Sequence, residues 1–257
     1  DITYQIISLS YLIIQSLEKL DKNDPTTDKL ASYLYVADKR LSYYLAELRV
    51  FLKCEQPSQD QRIQCGYILE QIVYLCFRGL KGATSFKSFQ SAGPQYDLLI
   101  SGDDQKWKTI SELFYLPFEK RNILVEAKAK QSKLTDKDFA RLCSIMDVNL
   151  STTGLGIFFT FKGATGFPDR SSSTRQRKIG DCRLRQALFH AKTGKYIIVF
   201  DQDDIFELAS NGSLIKLIVR KIRDLQELSG LPPISTEEWI EIDLPEHLRI
   251  LEYSSKE

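Results

Sequence analysis

A chain of 257 residues with 43% hydrophobic and 27% charged residues has the composition of a globular protein, and it can bury a full core without disulfides or a structural metal. A formal net charge of +1 gives no bulk signal for a polyanionic partner, so any such partner must be steered by local charge. The five cysteines contain no C-x-x-C pair, which argues against metal clusters and disulfide frameworks and for free thiols in a reducing compartment.

Residues 1–53 read as a helical domain. Segment 3–20 is apolar at helical spacing, but its run Ile6 to Ile14 is broken by Ser8, Ser10 and Tyr11 and is too short to span a bilayer, so no membrane is expected. Asp24-Pro25 is a breaker. Leu30, Ala31 and Leu34 then share one face of a short helix, Tyr35 to Ala37 make a tight connection, and Leu41, Leu45 and Leu48 line a second helix. Residues 54–60 (CEQPSQD) read as a linker, and 61–257 as one α/β domain.

That domain opens with a long helix, about Gln61 to Leu80, ended by Gly79 and Gly82. Three strand-like runs follow: SFKSFQS, YDLLIS and ILVEAKA. TDKDFARLCSIMDVNL is an amphipathic helix with Thr135 as N-cap. LGIFFTF is a buried strand. RQRKIGDCRLRQALFHAKTG is a basic helix, KYIIVFD a further strand, QDD an acidic turn, Ser213 to Leu228 a helix, and EWIEID a short closing strand. The alternation predicts a mixed central sheet flanked by helices.

The two histidines, His190 and His247, have no ligand or triad spacing, and there is no phosphate-loop or nucleophile-elbow pattern. Chemistry therefore falls to carboxylates and lysines. Asp97 lies in an apolar strand and Glu70 in a helix that is apolar nearly all round. In NILVEAKAK, Glu126 and Lys128 point the same way from a strand. They form either a wet sheet face or half of a metal site. Glu70 is either a paired core acid or a support for such a site. Two or three carboxylates suit a hard cation, and a nearby lysine suits a water and a phosphate. From Lys162 to Lys195 nine Lys/Arg face two acids, either a solvated face or a track for a phosphate backbone.

Pro94-Gln95-Tyr96-Asp97 and Val125-Glu126-Ala127-Lys128 resemble the signature of the PD-(D/E)xK nuclease superfamily, the restriction-endonuclease-like fold, over about residues 61–205. The resemblance implies a DNA endonuclease dependent on Mg²⁺, with Mn²⁺ as a substitute. Asp97 and Glu126 are then metal ligands, Lys128 positions the water, and Glu70 supports a metal. It also implies double-stranded DNA as substrate, a homodimer, and a setting in prokaryotic cytoplasm, in restriction or defence. A gap of 29 residues separates Asp97 from Glu126, and the insert is expected as an extended hairpin or loop. Residues 26–51 resemble a helix-turn-helix, with Lys39, Arg40 and Tyr43 projecting from its second helix toward DNA. Arg175, Arg177, Lys178, Arg183 and Arg185 are further DNA contacts on this reading. Two rivals stand beside it: a non-catalytic DNA-binding regulator on the same scaffold, and a junction-resolving or transposon-end nuclease.

Overall fold

The computed structural model describes residues 25–54, 56–89, 96–167 and 180–228. The expected helix 3–20, the strand EWIEID, His247, and Arg175, Arg177 and Lys178 lie outside the described residues. Helices α1 (Pro25–Leu34), α2 (Leu41–Leu52) and α3 (Gln59–Arg78) precede strands β1 (Ser85–Phe89) and β2 (Tyr96–Ser101). Then come α4 (Gln105–Leu113), β3 (Asn122–Lys128), α5 (Asp136–Ser144), β4 (Thr153–Thr160), α6 (Asp181–Thr193), β5 (Tyr196–Phe200), α7 (Gln202–Glu207) and α8 (Ser213–Leu228). The chain is α/β, as its alternation predicts.

The strands form one open mixed sheet in the order β1-β2-β3-β4-β5. β1, β2 and β3 are antiparallel neighbours, and β3, β4 and β5 are parallel. Alternation divides the core between the two faces. Ile123, Val125, Leu155, Ile157, Phe159, Ile198 and Phe200 point into the larger cluster, filled by α1, α2, α3, α4 and α8. Leu124, Phe158, Ile197 and Val199 point into the smaller one, covered by α5 and α6. Every residue of β4 is buried, which explains why LGIFFTF is apolar without alternation.

Leu41, Leu45 and Leu48 are buried, as their spacing indicates. They and Ala31, Leu34 and Tyr35 join the larger cluster, so this stretch shares a core with the sheet. The join is made by backbone: Val36 N–H donates to Gly79 O at 3.0 Å and Lys81 N–H to Leu34 O at 2.9 Å. The Tyr35 hydroxyl adds a bond of 2.8 Å to Leu208 O. A Cβ built on Gly79 would meet Val36 O at 2.4 Å. Gly79→Ala is therefore expected to destabilise the fold by about 1–3 kcal/mol, read from the urea midpoint.

Two expectations are corrected. The insert between Asp97 and Glu126 is not a hairpin or loop throughout: it carries α4. Asp104 caps that helix, accepting from Trp107 N–H at 2.7 Å, and Trp107, Ile110 and Leu113 are buried against the core. The acidic QDD is not a turn but the start of α7, because Asp201 accepts from the backbone of both Asp203 and Asp204. Among the described residues, no helix is long and apolar enough to cross a membrane.

Candidate active site

The β2–β3 ladder ends at the pair Leu98–Val125, one residue short of Asp97 on β2 and of Glu126 on β3. There the strands part. The Asp97 side chain replaces a ladder partner, its Oδ2 accepting Ala127 N–H at 2.5 Å. Glu126 is only 1% exposed. Its Oε2 lies 2.9 Å from Lys128 Nζ, and its Oε1 accepts from the Arg141 guanidinium at 3.1 Å. A buried carboxylate is costly unless paired, and two cations pair this one. The E-x-K face is therefore not a wet sheet surface.

Glu70 is corrected in one respect. It is exposed, because α3 is amphipathic: Tyr67, Gln71 and Tyr74 beside it also reach solvent, while Leu69, Ile72, Val73 and Phe77 fill the core. It still reaches the site. Glu70, Asp97, Glu126 and Lys128 line one cleft of about 490 Å³, with Tyr74 and Arg141 on its walls. Partial burial, then the neighbouring Asp97 charge, push the Glu70 carboxyl above its ordinary value. Asp97→Asn should bring it back down, since removing a like charge favours the ionised form. Carboxyl NMR titration reads that shift, and an unmoved Glu70 would disprove the coupling. The raised Glu70 favours the fold at low pH, and that contribution is lost as pH rises through its folded value.

Among the described residues, no three His, Cys, Asp or Glu side chains are grouped so as to hold a metal. A three-carboxylate cage is thus not present. Mg²⁺ does not need one: it binds through one or two carboxylates and completes its shell with water and phosphate oxygens. Asp97 and Glu126, each next to the last pair of the ladder, with Glu70 on the same cleft, supply the carboxylates that such a partly hydrated site uses.

The candidate DNA contacts fare differently. Lys39 and Arg40 fall in the turn ahead of α2, not on it, and Arg40 pairs with Asp38 at 2.7 Å. Its hydrogen bonds bring the Asp38 carboxyl down to about 2. Tyr43 does stand exposed on α2, donating to Glu47 at 2.6 Å. α6 starts only at Asp181 and is no uniformly solvated basic face. Arg183 is buried, and Arg185 grips Asp136 with two bonds of 2.5 and 2.6 Å. The reason is rotation: Cys182, Arg183, Gln186 and His190 face inward, leaving Leu184 and Leu188 in solvent.

Arg141 is the site residue that sequence reasoning missed. It lies beside the apolar stripe of α5 marked by Phe139 and Leu142. Only that position hints at a residue overhanging the sheet. No family model, no curated protein and no solved structure matches this chain.

Proposed function

We propose that the cleft at the parted ends of β2 and β3 is the active site of a Mg²⁺-dependent DNA endonuclease of the restriction-endonuclease-like kind. The observation that carries the reading is the convergence of Asp97, Glu126 and Lys128, with Glu70, on one cleft. The element order supports it too: a helix with Glu70, a strand with Asp97, a strand with Glu126 and Lys128, then a helix and a parallel strand.

Asp97 and Glu126 are the residues that would hold the cation, with Glu70 near enough to help through water. When bound, Mg²⁺ supplies charge for the phosphate and acidity for a water. Lys128 reaches Glu126 while remaining partly open to the cleft, so its ammonium can hold the attacking water by one hydrogen and face a phosphate oxygen. Arg141, 43% exposed at its side chain, keeps Glu126 in place and sets its positive charge beside the same phosphate.

The test is cleavage of supercoiled and linear plasmid with Mg²⁺, Mn²⁺ or EDTA. Lys128→Ala should cut about 10²–10⁴-fold more slowly with its fold intact. Cutting that survives this change, or that persists in EDTA, would sink the assignment.

A further inference from the structure

A second cavity lies on the same edge of the sheet, beyond the cleft. The two parallel strands β4 and β5 are neighbours, but the chain leaves them toward opposite faces. α6, after β4, seats Cys182 in the smaller cluster, whereas α7 and α8, after β5, fill the larger one with Ile205, Leu214 and Ile218. Divergent connections leave a crevice outside the carboxyl ends of such strands, the position where open α/β sheets take ligands. Here the crevice is a cavity of about 490 Å³, within the range of small-molecule sites.

Its lining has three chemistries. Lys133, Lys162, Arg183 and Lys221 are cationic, and Arg183 is held 92% buried at the first turn of α6. Asp201, Asp203 and Asp224 are carboxylates. Phe167 is a half-buried apolar ring, with Ile198 and Leu225 buried behind the lining. Lys221 is fixed by Asp204, which is fully buried, at 2.7 Å. A bare anion would use only the cations. A DNA backbone running through would be repelled by the carboxylates. A ligand with a phosphate, hydroxyls and a flat apolar ring uses all three.

We propose that this crevice binds a nucleoside phosphate as a free small molecule, separate from the cleft. The lysines and Arg183 take the phosphate, the carboxylates take ribose hydroxyls or ring amino groups, and the Phe167 ring takes the base. The inference stands on this cavity alone and holds whether or not the cleft cuts DNA.

Isothermal titration of the full chain with AMP, ATP and inorganic phosphate tests it. Lys133 and Lys162 are both exposed, so the chain with Lys133→Glu and Lys162→Glu should still fold, as checked by a cooperative melting transition. A nucleotide should bind, and the double variant should weaken it about tenfold or more. No binding of AMP or ATP up to about 5 mM, the highest concentration titrated, overturns the proposal. So does phosphate binding as tightly as nucleotide, or a variant that binds like the parent chain. Lysine acetylation read by mass spectrometry places the ligand in the unaltered chain. Protection of Lys133 and Lys162 with Lys128 and Lys130 still reactive is the expected pattern. The reverse puts the nucleotide in the cleft and ends the proposal. Protection of Lys133 and Lys162 by a single-stranded oligonucleotide, with none by AMP or ATP, replaces the small molecule with a DNA strand.

Discussion

Glu126→Gln is expected to lower plasmid cleavage about 10³-fold or more while leaving the fold nearly as stable. The activity loss follows from removing a charged oxygen donor, worth several kcal/mol where it neutralises a developing phosphate charge. The stability is spared because the amide keeps the shape of a side chain that is 1% exposed. Its former partners Lys128 and Arg141 are 29% and 43% exposed at their side chains and can turn to water. The complementary experiment removes the partners instead. Lys128→Met with Arg141→Met leaves a carboxylate buried without a cation, which costs about 3–5 kcal/mol. Adding Glu126→Gln to that pair should recover most of it, as read from urea midpoints. A double variant as stable as the parent would mean that Glu126 does not depend on these two cations in the folded chain. Cleavage by Glu126→Gln at the parent's rate would remove it from the chemistry.

Phe159→Ala is expected to cost about 3–5 kcal/mol of stability through a single truncation. Its ring sits fully buried on β4 between two others, 6.2 Å from Phe77 of α3 and 5.0 Å from Phe200 of β5. Both pairs are inclined, as ring quadrupoles prefer. Truncation would leave a void under the helix that carries Glu70. A close-packed interior cannot fill such a void without moving α3. Cleavage should therefore fall even under conditions where the variant is fully folded. Unfolding in urea measures the first effect, and the cleavage rate well below the transition measures the second. A loss below about 1 kcal/mol would mean that the three rings do not form the joint between α3 and the sheet.

Local sequence carried much of the architecture. The apolar spacing of Leu41, Leu45 and Leu48, the run LGIFFTF and the span Ser213–Leu228 each took the predicted form, because the period of burial is a property of the element itself. Period-two alternation likewise put Glu126 and Lys128 on one face of β3. α4 was harder to see, since its apolar positions Trp107, Ile110 and Leu113 are spread among polar residues and its start depends on the Asp104 cap.

What the chain could not announce was which element would cover which. The sequence pointed to Glu70 as a buried acid, yet α3 turns that residue outward and the carboxylate buried at the cleft is Glu126, roofed by α5. The same docking brought Arg141 to Glu126 and tied Arg185 of α6 to Asp136 of α5. It also opened the crevice between β4 and β5. By itself, the sequence determined most of the described elements, though not α4 or α7, and the shared face of Glu126 and Lys128, since these follow from neighbours along the chain. Tertiary structure alone decided which charged residues are buried, their ion partners and the cavities, since each depends on residues far apart in sequence whose meeting is set by how helices pack across the sheet.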